Sequence, residues 1–163
     1  MATPSPLPLS LSQRRARRNR AARIARKFGF VGHTEYRHVY SQSGGAQYGK
    51  GIATREDLLT VFAEAFERDS DSQDFSLEAI VAHECGHQLL ARHPRISKLV
   101  AGRISLMGEE ILASLLGAML CDNVADRDSL VAKAVVELFE GGESREAATR
   151  RIPELWDLLG ELL

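Results

Sequence analysis

The chain has 163 residues, of which 44% are hydrophobic and 26% charged, the balance of a soluble globular protein. This length is enough for one domain with its own core. The longest apolar run, Ile111 to Cys121, is shorter than a membrane span and is interrupted by Ser114 and Gly117, so we expect no segment that crosses a bilayer.

The two cysteines, Cys85 and Cys121, are far apart in the sequence and form no CxxC pair. A disulfide framework is therefore not expected, and the chain is predicted to be a cytoplasmic protein in a reducing environment. Cys85 lies inside a cluster of histidines, where a thiol can act as a nucleophile or a ligand. A small buried apolar residue is the simpler interpretation.

The net charge of −1 conceals a strong asymmetry between the two ends of the chain. Residues 1–34 carry eight basic side chains and no acidic one, which leaves 13 basic and 22 acidic residues, a balance of −9, for positions 35–163. We therefore predict a basic, flexible arm over residues 1–28 and one folded domain over residues 29–163.

The basic segment 14–27, RRARRNRAARIARK, consists mainly of Ala and Arg, which favour helix. The preferred interpretation is a solvated helix or one that docks on a partner. A second is contact with nucleic-acid phosphates, which the lack of interleaved aromatic residues weakens. An organelle transit peptide is a third, because the segment is rich in Arg and lacks acidic residues.

Two short strands are predicted next, because residues Glu35 to Tyr40 mix aromatic, β-branched and polar side chains and Ala46 to Tyr48 follow a Gly44-Gly45 turn. They form either a β-hairpin or two separate short strands. Thr54 and Asp57 then resemble a capping box and predict an amphipathic helix over residues 55–69. The apolar face of that helix would comprise Leu58, Leu59, Phe62, Ala65 and Phe66.

Helical periodicity returns in four later segments, after a polar loop over residues 70–74. The segments are residues 76–92, residues 96–121 with an interruption near Gly102 or Gly108, residues 126–139, and a last helix capped by Ser144. His93-Pro94 ends the first of them, because a residue before proline avoids the helical region. The predicted fold class is thus α+β, mainly helical, with a small N-terminal sheet.

The sequence HECGHQLLARH, residues 83–93, carries the chemistry. His83 and His87 are four residues apart, so on a helix both imidazoles face the same side and can bind one ion. Glu84 lies one step round the helix, where it cannot easily bind the same ion but can contact a water molecule at it. This spacing predicts a zinc site with Glu84 as the general base.

A catalytic zinc needs three protein ligands and one open position. Glu110 is the preferred third ligand, since a loop and an antiparallel helix would bring it back to His87, 23 residues earlier. Ala113 and Gly117 lie on the same stripe of that helix as Glu110, and their small size would allow a close approach to the active helix.

Two other residues remain candidates for the third ligand. Glu109 lies one step off the stripe of Glu110. His93 reproduces the HExxHxxGxxH spacing of the metzincins, and Ser105-Leu106-Met107 resembles their methionine turn. However, Leu90 stands at the glycine position of that pattern and resists the left-handed turn that it requires.

The stretch IVAHECGHQLL followed by EEILASLLGAML resembles the gluzincin type of zincin metallopeptidase, and is most similar to the ImmA/IrrE group. The likeness covers residues 77–121. The second pattern of that group, E-x-x-A-x-x-F-A-A-x-L, falls on Glu110, Ala113, Leu116, Gly117, Ala118 and Leu120. The resemblance implies a zincin-like domain with zinc bound by His83, His87 and Glu110, Glu84 as base and acid, and a regulatory cleavage of a protein partner such as a DNA-binding repressor.

These observations predict metal-assisted hydrolysis of a peptide bond in a protein or peptide substrate. We also expect a hydrogen-bond donor that stabilises the negatively charged oxygen of the tetrahedral intermediate. The predicted strands offer four candidates, although packing or surface exposure is the simpler explanation for each of them. They are Tyr36, His38, Tyr40 and Tyr48. The edge of those strands would accept an extended peptide. The alternatives are a catalytically silent zincin-fold module recruited through its basic arm, and a nucleic-acid adaptor that binds through residues 14–27.

Overall fold

The computed structural model describes residues 4–41, 44–67, 75–101 and 108–163. Within these ranges the chain forms six α-helices and one sheet of three strands, so the α+β, mainly helical class is confirmed. The elements are α1 (Leu11–Lys27), β1 (His33–Arg37), β2 (Ala46–Lys50), β3 (Asp57–Phe62), α2 (Leu77–Arg92), α3 (Pro94–Ala101), α4 (Gly108–Leu120), α5 (Val124–Glu140) and α6 (Arg145–Leu162).

The two predicted strands are present, but they do not pair with each other as the expected hairpin would. The sheet order is β1-β3-β2, with β1 parallel and β2 antiparallel to the central strand. The hairpin prediction was wrong because a third strand lies between the two. That arrangement leaves β2 at one edge of the sheet and β1 at the other.

The helix predicted over residues 55–69 was wrong, because β3 and a short 3₁₀ turn at Ala63–Ala65 occupy this segment instead. Residues 58–62, LLTVF, are nearly continuous in apolar and β-branched side chains, and Leu59 and Val61 are fully buried. A central strand that is covered on both faces loses the alternating pattern of a surface strand, so its sequence resembles one face of a helix.

The basic segment forms α1, and this helix packs on the body instead of extending from it as an arm. Ser10 caps its start through a capping box with Gln13. Ala21 and Ala25 are buried, and the helix contacts both β1 and α2. Whereas the sequence predicted a flexible arm over residues 1–28, the small side chains of α1 let its backbone approach the body closely.

The later helices follow the sequence closely. Ser76 caps α2 and Ser144 caps α6, each by accepting a hydrogen bond from a backbone N–H three residues on. Helix α2 ends at Arg92, as the His93-Pro94 pair predicts, and α3 begins at Pro94, two residues before the predicted start at Ile96. The predicted polar loop 70–74, the Gly102 interruption and the Ser105-Leu106-Met107 turn lie outside the described residues. No helix in the described ranges has the length and apolarity to cross a bilayer.

Two glycines bring α2 and α4 into direct backbone contact. A Cβ on Gly86 would overlap the carbonyl oxygen of Ala113, and a Cβ on Gly117 would lie 2.7 Å from the carbonyl oxygen of Ala82. Because Gly86 faces Ala113 while Gly117 faces Ala82, the two helices run antiparallel, as predicted. This contact holds the start of α4 beside the histidines of α2.

Gly86→Ala and Gly117→Ala should each lower the free energy of unfolding by about 1–3 kcal/mol or more, because the new methyl group meets rigid backbone. The measurement is urea denaturation of the metal-free protein. Gly160→Ala on α6 is the matched control, since a Cβ there meets nothing within 4 Å and alanine should stabilise the helix by about 1 kcal/mol. Equal effects at all three positions would contradict the close contact.

Candidate metal centre

The first two functional side chains lie one turn apart in the middle of α2. His83 and His87 have side chains that are only 11% and 12% exposed. Their Nε2 atoms are 3.2 Å apart, and the rings meet edge to face. Both imidazoles therefore direct the same nitrogen at one shared point, as the helical spacing predicts.

Glu110, in the first turn of α4, spans the two imidazoles. One carboxylate oxygen lies 3.0 Å from Nε2 of His83 and the other lies 3.0 Å from Nε2 of His87. Of the three candidates for a third ligand, Glu110 is thus the residue that the structure brings to the shared point. It reaches that point because the glycine contact between α2 and α4 holds its helix turn there.

The outer nitrogen of each imidazole has an acceptor of its own. Nδ1 of His83 lies 3.0 Å from Oγ of Ser114, which is fully buried, and Nδ1 of His87 lies 3.3 Å from a carboxylate oxygen of Glu109. These contacts favour a ring proton on Nδ1 when a metal ion occupies the site, whereas without an ion Nε2 of each ring lies within hydrogen-bond distance of Glu110. Such outer partners fix the orientation and tautomer of metal-binding histidines.

Glu84 lies on the same side of the site without bridging the rings. His83, Glu84 and His87 each offer a ligand atom, and these atoms all lie within 4.8 Å of one another. The three residues form a cluster that can hold a metal ion. Burial raises the pKa of Glu84 to about 7, although a hydrogen bond from the backbone N–H of Tyr48 opposes this shift.

The pKa values of the other three groups in the site are shifted in different directions by burial and by their hydrogen-bond partners. The hydrogen bonds from His83 and His87 hold the pKa of Glu110 well below its usual range. Burial lowers the pKa of His83. Burial also acts to lower the pKa of His87, but the hydrogen bond with Glu110 and the charge of Glu84 outweigh it and raise that pKa. At neutral pH the ionised carboxylate of Glu110 therefore lies beside the carboxyl group of Glu84, which is about half protonated.

The site opens into a cleft of about 400 Å³. Its described walls come from β2, the segments before β2 and α2, and helices α2, α4 and α5. Lys133 on α5 lies in the wall, with Nζ 3.7 Å from a carboxylate oxygen of Glu110 and 2.6 Å from one of Glu137. Neither Lys133 nor Ser114 was predicted from the sequence. A serine four residues after Glu110, in an otherwise apolar helix, was a usable signal for the latter.

Two residues near the motif do not join the site. His93 is exposed at the C-terminal end of α2 and does not line the cleft. Cys85 is 2% exposed, and burial raises the pKa of its thiol to about 12, so it is protonated at neutral pH. The simpler interpretation of Cys85, a small buried residue, therefore holds.

The four candidate oxyanion donors are bound elsewhere. The hydroxyl of Tyr36 accepts a hydrogen bond from Arg17 on α1 and contacts His38, and the hydroxyl of Tyr40 donates to Glu67. Tyr48 does line the cleft, but its hydroxyl bonds to Asp57. None of these side chains, therefore, has its polar group directed at the histidines.

Comparison of the chain with protein-family models, curated proteins and solved structures found no match.

Loss of the Glu84 charge should stabilise the metal-free protein at high pH. Its pKa rises from 4.5 to about 7 on folding, so the wild type loses stability as pH increases through this interval. Because glutamine cannot ionise, we expect Glu84→Gln to match the wild type near pH 4.5 and to exceed it by up to about 3 kcal/mol near pH 8.

Urea denaturation at several pH values, with a chelator present, measures this difference. Glu140→Gln is the control, because Glu140 is exposed on the surface of α5 and should follow the wild type at every pH. A Glu84→Gln profile parallel to that of the wild type would show that Glu84 is not buried as described.

Proposed function

We propose that this chain is a zinc-dependent metallopeptidase of the gluzincin type, with His83, His87 and Glu110 as ligands and Glu84 as general base. The observation that carries the proposal is the convergence of two imidazole Nε2 atoms and one bridging carboxylate, with separations of 3.2, 3.0 and 3.0 Å. A second, free carboxylate lies beside them in an open cleft.

The donor set fits zinc better than a hard cation. Two ligands of a tetrahedral zinc ion, each about 2.0–2.1 Å from the metal, lie about 3.3 Å apart, close to the separations around Glu110. Calcium and magnesium prefer oxygen ligands, whereas two neutral imidazoles suit zinc. The Nδ1 contacts of His83 to Ser114 and of His87 to Glu109 support the tautomer that binding requires.

When bound, zinc would supply Lewis acidity that lowers the pKa of a water molecule and polarises the scissile carbonyl. Glu84 then acts as the proton carrier of this chain: it accepts the proton of the attacking water and delivers it to the leaving nitrogen. Its position on the helix, one residue after His83, keeps it near the site and leaves it free of the bridging role of Glu110.

The walls of the cleft are suited to an extended peptide. One edge of β2 pairs with β3, while the backbone N–H of Tyr48 turns to Glu84 on the other side, so the free edge of β2 faces the site. An extended chain can add to such an edge by main-chain hydrogen bonds. Apolar side chains that could contact a substrate residue also line the cleft, namely Phe75, Ala79, Ile80 and Leu130.

Lys133 replaces the four earlier candidates as our proposed donor to the oxyanion. Among the described residues that line the cleft, it is the one with a permanent positive charge, and its Nζ lies 3.7 Å from Glu110. Glu137 holds this ammonium group from the far side. A fixed cation beside the reacting carbonyl stabilises the charge that develops there.

Metal content and peptide cleavage should separate the roles of the three glutamates. We expect about one zinc per chain in the wild type, loss of zinc in Glu110→Ala, and retention of zinc in Glu109→Ala at saturating zinc, with an affinity about 10–100-fold lower because Glu109 orients His87 without binding the ion. Glu84→Gln should keep the ion and lose about 10²–10⁴-fold in cleavage, because it removes only proton transfer. Elemental analysis and a fluorescence-quenched peptide library provide the two measurements.

Retention of zinc by Glu110→Ala would contradict the proposed ligand set. Full cleavage by Glu84→Gln would remove Glu84 from the chemistry. A wild type that binds zinc and cleaves no peptide of the library would instead favour the catalytically silent binding module.

For Lys133 we expect a decrease in kcat of about 10²–10³-fold on Lys133→Met, with zinc content unchanged, because the variant removes a charge that acts at the transition state. Lys133→Arg keeps the charge and should retain most of the activity. Steady-state kinetics on a peptide cleaved by the wild type tests this role. If the Met variant keeps its kcat, Lys133 serves only the packing of α5.

A further inference from the structure

Apart from Arg14, the cations of α1 divide into two groups on opposite sides of the helix. On the side that faces the body, each of three cations meets an acidic residue. These ion pairs are Arg17–Glu67, Arg20–Glu78 and Lys27–Asp122. Arg17 also stacks over the rings of Tyr36 and Phe66. These contacts, together with buried Ala21 and Ala25, attach α1 to the body.

The outer side of α1 carries the other group: Arg15, Arg18, Arg23 and Arg26. All four are exposed, and none forms an ion pair with any residue in the described ranges. At 100° per residue they fall within a sector of about 140°, and they extend over about 17 Å of the helix axis. We define these four arginines as the outer arginine face.

We propose that the outer arginine face binds the phosphate backbone of a nucleic-acid duplex. Arginine donates paired hydrogen bonds that match a phosphate group, and seven of the eight basic residues in positions 1–34 are Arg. The lack of aromatic side chains on this face disfavours single strands, which need stacking platforms, but phosphate contacts to a duplex need none.

A lipid surface fits this helix less well. Binding in a bilayer interface requires a bulky apolar face, but Ile24 of α1 and Phe28, which follows the helix, are packed against the core. Two exposed leucines, Leu7 and Leu11, lie near the start of the helix. Two leucines provide only a small apolar surface beside four arginines. Because they could still contact lipid, binding to anionic vesicles is also measured.

The rest of the molecule is not expected to contribute to this binding. Residues 35–163 have a formal balance of −9, so they repel a polyanion. Helix α1 packs against β1, at the sheet edge opposite to β2 and the cleft. The duplex site is thus independent of the metal centre, and the inference stands whether or not the chain is a peptidase.

The experiment compares the full chain with two quadruple variants in fluorescence anisotropy on short DNA and RNA duplexes of mixed sequence. One variant replaces the outer arginine face by glutamine, which keeps helix propensity. The matched control changes net charge equally at exposed positions elsewhere: Arg95, Lys98, Arg145 and Arg150 to glutamine. Circular dichroism and urea denaturation verify that both variants fold.

If the wild type makes four phosphate contacts, an increase in salt from 50 to 200 mM should reduce its binding constant roughly 100-fold. The control should keep this salt dependence, and the arginine-face variant should lose it together with most of the affinity. The duplex that the wild type binds with the higher affinity identifies DNA or RNA as the partner. Equal losses in both variants, absence of duplex binding at low salt, or binding to anionic vesicles alone would overturn the proposal.

Discussion

The close contact between α2 and α4 is the constraint on which the candidate site depends. Gly86 and Gly117 let the two backbones approach so closely that neither position has room for a methyl group. The antiparallel direction then places Glu110 at the start of α4, against the His83–His87 turn of α2. A separation that is larger by one methyl group would take the carboxylate out of reach of both rings.

Three glutamates close to the two histidines acquire different properties from their surroundings. Glu110 accepts from both rings and has a lowered pKa, whereas Glu84 is half-buried without such partners and desolvation raises its pKa to about 7. Glu109 lies outside, at Nδ1 of His87. Carboxyl groups whose pKa values are separated in this way can serve as a permanent anion and as a proton carrier within one site.

Features that depend on the local periodicity of the sequence could be predicted from it. Features that depend on contacts between distant parts of the chain could not. The four-residue spacing of His83 and His87 and the stripe through Glu110 were readable because a helix fixes which side chains share a face. The strand at Asp57–Phe62 was not, since its burial on both faces hides its period. Lys133 was not predictable either, because its role depends on α5 packing beside the cleft.

The central claim is that His83 and His87 bind zinc through Nε2, together with a carboxylate. Zinc-edge X-ray absorption of the zinc-loaded protein tests it most directly. We expect a first shell of nitrogen and oxygen at about 2.0–2.1 Å, outer-shell scattering from two imidazoles, and no sulfur near 2.3 Å. A sulfur shell, or fewer than two imidazoles, would contradict the account.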